Sequence, residues 1–251
     1  MSGHEYLVGV LAKQDLTTAQ LNSLRATRDE VESHLRGDFG WAPRFYYGGS
    51  FAKNTMLSTS YDLDIILYFP HTETANLGQL FSRVHSRLAS KYQVVPRTVA
   101  LRLPYQGGFH IDVVPGRAQD APFRYATLYK NTTPSSTLQT SVKVHIEAVK
   151  DAGLSDIVRL AKLWRLRWGL DVPTFALEIA VARAMYNVRR ADLGEALWTV
   201  LGSFATDFAG ARFVDPANTN NVIEVASGVR AAVQARAQYC RAQKEWSSVV
   251  W

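Results

Sequence analysis

The apolar positions in the first half of the chain switch between helical and strand-like spacing. Leucines and a valine recur at helical intervals after a capping box formed by Thr17 and Gln20. They predict a helix over residues 17–36 that is stopped by Gly37 to Gly40. The other elements predicted for this half are strands at 44–47, 62–69, 93–103 and 108–114, and a helix at 77–92. This half is therefore expected to place helices beside a small mixed sheet.

From about residue 136 onward, the pattern becomes helical. Helices are predicted at 138–150, 154–168, 173–188, 193–208 and 229–246, with a polar, Asn-rich loop at 215–221. The change from strands to helices predicts an α/β (α+β) fold with two lobes. We expect residues 1–140 to form a lobe built on the sheet, and residues 141–251 to form a helical lobe.

Composition adds bounds on the class of protein. The chain has 251 residues, of which 47% are hydrophobic, so it can bury a substantial core. The formal net charge of +6 favours polyanionic partners such as nucleotides or nucleic acid. A single cysteine, Cys240, excludes an internal disulfide framework and indicates a reducing compartment. The N-terminus lacks the basic region of a signal peptide, and no apolar run approaches the roughly 20 residues of a membrane span. We therefore expect a cytoplasmic protein.

Asp62 and Asp64 are the most informative residues in the sequence. They lie at the start of the apolar segment DLDIILYF, and side chains two apart in a strand share one face. Adjacent unpaired carboxylates repel each other, so a fold keeps such a pair where a cation neutralises it. Oxygen ligands suit Mg²⁺, with Mn²⁺ as the alternative ion. Asp-x-Asp alone is common, and its position in an apolar strand is what indicates a metal site.

A third carboxylate, Asp112, lies in a second apolar segment, His110–Val114. If this segment pairs with the first strand, three acids converge. Three carboxylates and two Mg²⁺ ions form a site for phosphoryl transfer, in which one ion activates the attacking hydroxyl and the other steadies the leaving pyrophosphate. Asp112 is then expected to bind the activating ion and to accept the hydroxyl proton.

Gly48-Gly49-Ser50 follows the strand predicted at 44–47 and precedes the acid pair by about a dozen residues. Glycine lets a backbone approach phosphate closely, and free amides at a helix start favour an anion. Gly49 and Ser50 are therefore candidates to bind the terminal phosphates of a nucleotide. On its own, this tripeptide would indicate only a turn.

Three segments carry a resemblance to a known family: Gly49 to Thr55, Asp62 to Ile65 and Ile111 to Pro115. Together they resemble the DNA-polymerase-β-like nucleotidyltransferase superfamily. The helical half is similar to the branch that holds oligoadenylate synthases, cyclic GMP-AMP synthase and bacterial CD-NTases. The departure is Asn54, where the family usually has glycine; asparagine tolerates positive φ best among the other residues, so the turn can survive.

The resemblance also implies roles for residues of the helical half. Val158 to Trp164 matches a family helix whose lysine contacts the donor triphosphate, which here is Lys162. The family's Pro-Ser-Tyr is matched by Pro173-Thr174-Phe175, so Thr174 is implied to contact the phosphates and Phe175 the base. The Asp215 to Val222 segment is similar to a terminal Asp-Pro…Asn segment of the branch. By helical spacing alone, Arg159 and Lys162 lie opposite an apolar stripe and can face a cleft together.

The function that the resemblance implies is synthesis of a cyclic or short linear oligonucleotide signal from NTPs, as in bacterial antiviral signalling, with a nucleic-acid or protein activator in some members. A template-independent enzyme that extends RNA 3′ ends, like a CCA-adding enzyme, shares the early motifs. A transferase acting on a small molecule or protein is a third hypothesis, and a non-enzymatic nucleotide-binding module is a fourth. Chain length favours the first, because reading a tRNA needs surface that 251 residues are not expected to supply.

Overall fold

The computed structural model describes residues 2–105, 109–189 and 191–250. The chain forms two units, one of Leu16–Ile146 and one of Met1–Asp15 with Glu147–Trp251. The predicted lobe of residues 1–140 differs from this division at its N-terminus. Helix α1, Gly3–Ala12, belongs with the C-terminal helices, and Tyr6 donates a hydrogen bond to the carbonyl of Val250.

The first unit is built on a mixed sheet. Its elements in chain order are α2 (Thr18–Phe39), β1 (Arg44–Tyr47), α3 (Gly49–Ala52), β2 (Leu63–Phe69), α4 (Leu77–Ala89), β3 (Val95–Pro96), β4 (Leu101–Pro104), β5 (His110–Ala118), β6 (Ala126–Lys130), β7 (Ser136–Thr140) and α5 (Val142–Ile146). The strand order is β1-β2-β5-β4-β3, with β6 pairing β5 and β7. Strands β2 and β5 are parallel, and the other pairs are antiparallel. The predicted fold class is thus confirmed.

One face of this sheet packs against helices. The core of the face comprises Leu63, Ile65, Leu67, Ile111 and Val113 from the strands, and Val31, Leu35, Leu80, Val84 and Leu88 from α2 and α4. Because side chains alternate along a strand, the residues between these apolar positions point to the opposite face. The predicted acids Asp64 and Asp112 are two of them.

Several predicted boundaries are wrong, and the strand predicted at 93–103 is two short strands, β3 and β4. Helix α2 continues through Gly37 and ends at Gly40, which has φ +60°. Strand β5 continues past Pro115, because this proline lies between the residues paired with β4 (110–113) and those paired with β6 (116–118), where one side of the strand has no partner. The helix predicted from residue 138 begins at Val142 instead, since residues 136–140 pair with β6. Gly108, the predicted start of the strand, lies outside the described residues.

The second unit is mainly helical. Its elements are α1, a π-helical turn (Glu147–Asp151), α6 (Ser155–Arg167), α7 (Thr174–Ala184), α8 (Leu193–Thr206), β8 (Val214–Asp215), β9 (Asn218–Val222), α9 (Ser227–Arg241) and a 3-10 turn (Trp246–Ser248). The Asn-rich segment predicted as a loop is a β8–β9 hairpin. The buried Asp215 carboxylate stabilises it by accepting hydrogen bonds from the Ala217 amide at 2.8 Å and Asn221 Nδ2 at 3.0 Å. In the part of the chain that the structure describes, no helix has both the length and the apolar character of a membrane span.

The capping box predicted for α2 is present, with Thr17 Oγ1 accepting from the Gln20 amide at 3.2 Å. We expect Thr17→Ala to destabilise the protein by about 1 kcal/mol, because the amide loses its cap. Urea unfolding followed by circular dichroism would measure this. Thr18→Ala, one residue further along and equally exposed, is the matched control. Equal stability of the two variants would contradict the assignment of Thr17 as the cap.

Candidate active site

The candidate site lies on the face of the sheet away from α2 and α4, where β2 and β5 pair. In this parallel pair, Asp64 and Asp112 are register partners. Cross-strand partners have Cβ atoms about 5 Å apart, so the two carboxylates are neighbours. Asp62 immediately precedes β2, and its side chain is the more open to solvent, at 42% exposed against 13% for Asp112. The three predicted acids are therefore brought to one end of the strand pair.

The predicted glycine-serine turn lies against these acids. The Gly48 amide donates to the Asp64 carbonyl at 3.0 Å, and Ser50 Oγ donates to Asp62 Oδ1 at 3.4 Å. Gly49 has φ +56°, and a Cβ on it would lie 1.6 Å from Asp64 Oδ2. Only glycine fits this position, because any side chain would displace the Asp64 carboxylate. Gly49 and Ser50 start α3, whose first amides have no partner within the helix.

The turn closes with Asn54, the residue that departs from the family pattern. Asn54 has φ +56°, in the left-handed region where asparagine is the best tolerated residue after glycine. The expectation that the turn survives the substitution is confirmed.

Two residues of the site were missed in the sequence, Arg102 and His110. Arg102 is the register partner of Asp112 on β4, and its guanidinium donates to both carboxylate oxygens, at 2.8 Å from Nε and 2.7 Å from Nη2. This contact is the largest cause of a raised pKa for Arg102. A signal was available, since Arg102 is a charged residue between Leu101 and Leu103 in an apolar strand, the same pattern that marked the acids.

His110 lies between two of the acids. Its Nε2 is 3.5 Å from Asp62 Oδ2 and 3.8 Å from Asp112 Oδ2. This nitrogen is buried and makes no hydrogen bond to the described residues. A buried ring nitrogen near two carboxylates but without a hydrogen bond carries a desolvation cost, so it does not stabilise the sheet through a hydrogen bond.

The donor set fits magnesium by its chemistry. The acids offer carboxylate oxygens on one face of the sheet, which are the ligands that this ion prefers. Among the described residues, however, no three His, Cys, Asp or Glu side chains form a group that could hold a metal ion as they stand. Both oxygens of Asp112 are engaged by Arg102, so an ion would have to share them with the guanidinium.

The predicted residues of the helical unit have partners of their own. Lys162 on α6 is 5% exposed, and its Nζ is 3.8 Å from Oε1 of the 2% exposed Glu178 on α7. Arg159 donates to Asp15 Oδ1 at 2.7 Å, so it has a partner within its own unit.

Thr174 and Phe175 lie together at the start of α7. Thr174 is exposed and its Oγ1 accepts from Arg165 Nη1 at 2.9 Å, while Phe175 is half-buried. The structure thus places Thr174, Phe175 and Lys162 in the helical unit, and the three acids with Gly49 and Ser50 in the sheet unit. Their implied contacts with a nucleotide stay predictions.

Comparison with solved structures identifies the fold class. Neither a protein-family model nor a curated protein sequence matches the chain. Vibrio cholerae DncV cyclic AMP-GMP synthase, solved with its linear intermediate pppA(3′,5′)pG, has a TM-score of 0.80 at 16% identity, covering 98% of this chain and 92% of that one. Escherichia coli MS115-1 CdnC with ATP gives 0.74 at 20% identity over 95% and 90%.

A third similar structure aligns with this protein over the full length of both chains. Elizabethkingia meningoseptica CdnE cyclic dinucleotide synthase, solved with GTP and Apcpp, has a TM-score of 0.71 at 15% identity over 100% of each chain. The chain therefore shares the fold of these cyclic dinucleotide synthase and CdnC structures. The likeness is to the CD-NTases, as the sequence motifs predicted.

The Lys162–Glu178 pair generates a prediction about stability. We expect Lys162→Ala to lower the free energy of unfolding by about 3 kcal/mol, because it removes a positive charge from beside the buried Glu178 carboxylate. This reverses what helix propensity alone suggests, since alanine is the better helix former. Thermal and urea unfolding would measure the change, with Lys244→Ala as an exposed control in the same unit. A stability equal to that of the control would show that the ion pair contributes nothing.

Proposed function

We propose that this protein is a Mg²⁺-dependent nucleotidyltransferase that transfers a nucleoside monophosphate from an NTP to the hydroxyl of a second nucleotide. Its product would be a short linear or cyclic oligonucleotide. The observation that carries the proposal is the register of β2 and β5, which pairs Asp64 with Asp112 while Gly49 lies against Asp64. A fold shared with cyclic dinucleotide synthases supports this class over other uses of three acids.

The glycine-serine turn would bind the donor phosphates. The first amides of α3, at Gly49 and Ser50, and the Ser50 hydroxyl can donate hydrogen bonds to phosphate oxygens. By resemblance, Lys162 and Thr174 would add contacts to the phosphates, and Phe175 would lie against the base. Because Lys162 is already paired with Glu178, a phosphate contact would compete with that carboxylate.

The acids would hold the metal ions, with Asp62 and Asp64 on the donor side and Asp112 on the acceptor side. When bound, Mg²⁺ would polarise the acceptor hydroxyl and neutralise charge on the triphosphate. Asp112 is also our candidate to accept the hydroxyl proton. Ser50 Oγ and the Gly49 backbone would keep the first two carboxylates in place, since each contacts one of them.

The product class can be tested directly. Incubation with labelled NTPs and Mg²⁺, with and without tRNA, double-stranded DNA and RNA, should give small products resistant to phosphatase. Asp64→Asn should abolish them without unfolding the protein, because the amide keeps the shape and loses the charge that binds the ion. Efficient labelling of tRNA 3′ ends, blocked by periodate oxidation and with no small product under any of these additions, would show that the CCA-adding alternative is correct.

Gly49 offers a second test of the same site. We expect Gly49→Ala to reduce transfer at least about 100-fold, because the Cβ would push the Asp64 carboxylate from its position. The control is Gly40→Ala, at φ +60° with no atom within 4 Å of the added Cβ. Both variants place an alanine at positive φ and should lose stability, but only the first should lose activity. Equal activities would remove Gly49 from the site.

A further inference from the structure

A row of three charged residues crosses the middle of the sheet. Asp112 on β5 has Asp64 as its register partner on β2 and Arg102 as its register partner on β4. Register partners on adjacent strands project to the same face, so the order across the sheet is carboxylate, carboxylate, guanidinium. Asp64 and Arg102 therefore flank the Asp112 carboxylate on opposite sides, one with negative and one with positive charge.

The Arg102 contact is a forked pair. Nε donates to Oδ1 and Nη2 to Oδ2, at 2.8 and 2.7 Å, and the Asp112 and Arg102 side chains are 13% and 29% exposed. Two parallel bonds to a planar carboxylate fix both its position and its plane. One lone pair on each oxygen is used, and the others remain for a further ligand.

The guanidinium also changes the charge of the site. The three carboxylates have a formal charge of −3, from Asp62, Asp64 and Asp112. The Arg102 guanidinium adds +1, so the group as a whole has a formal charge of −2. A fixed positive charge within a few ångströms of a carboxylate opposes a divalent cation binding there, and partial burial limits its screening by salt.

We propose that Arg102 is a positioning residue with a second role as a built-in countercation. It orients the Asp112 carboxylate. It also lowers the affinity of the nucleotide-free site for divalent cations, so that an ion binds tightly only when the negative charge of an NTP is present. This inference rests on the proposed function, because it assigns the ion to the nucleotidyltransferase site.

The test compares two variants with Mn²⁺ as the probe and no nucleotide present. Arg102→Gln removes the charge, and Arg102→Lys keeps the charge but cannot form the fork. Electron paramagnetic resonance of free Mn²⁺ should show about tenfold tighter binding to Arg102→Gln. Arg102→Lys should stay within about threefold of wild type. Addition of Mn²⁺ should also raise the melting temperature of Arg102→Gln more than that of wild type.

The activity measurements separate the two roles. Both variants should show a kcat at least about tenfold lower with a little-changed KM for NTP, because neither orients the Asp112 carboxylate through a fork. The matched control is Arg36→Gln, which breaks a guanidinium-carboxylate pair with Glu32 elsewhere in the same unit. Its Mn²⁺ affinity and kcat should equal those of wild type.

Mn²⁺ binding to Arg102→Gln that is equal to wild type, weaker, or undetectable would overturn the countercation role. Full activity of Arg102→Lys would overturn the positioning role. If Arg102→Gln does not fold, the Arg102→Lys variant serves as the test. Failure of the proposed function would appear differently, as no transfer by the wild-type protein with either Mg²⁺ or Mn²⁺. The Mn²⁺ titration needs no turnover, so the two failures are distinguishable.

Discussion

The parallel pairing of β2 with β5 is the constraint on which the rest of the candidate site depends. Its register places Asp64 beside Asp112. The apolar residues on either side of each acid along its strand fill the core against α2 and α4. A slip of one residue would turn these acids into the core and the leucines and isoleucines out of it. Burial of the core therefore holds the acids in place.

Charge balance on the open face follows from this constraint. Carboxylates fixed side by side by a hydrophobic core cannot move apart to relieve their repulsion, so the fold must supply positive charge or donors nearby. Arg102 does so for Asp112, Ser50 for Asp62, and the glycine backbone leaves room for Asp64. Each acid has its own local support, which keeps the carboxylates oriented in a manner suited to bind a cation.

The helical unit handles its buried charges in the opposite way. Lys162 and Glu178 are almost fully buried and face each other from neighbouring helices, and Asp215 is satisfied by an amide and a side-chain donor within its own hairpin. In the sheet unit, by contrast, the Asp62 side chain is 42% exposed, and Arg102 beside Asp112 is 29% exposed. The two units thus differ in how far their charged side chains are open to solvent.

The sequence by itself determined the features that rest on local pattern: the capping box at Thr17, the strand of Asp64, the turn at Gly49 and the positive φ at Asn54. Periodicity and backbone preference act over a few residues, so they can be read in one dimension. Tertiary structure decided the pairing of Arg102 with Asp112, the placing of α1 with the C-terminal helices, the continuation of β5 through its proline and the burial of Lys162. These features depend on the order of the strands and on which helices pack together. Both are decided by contacts between residues far apart in the chain.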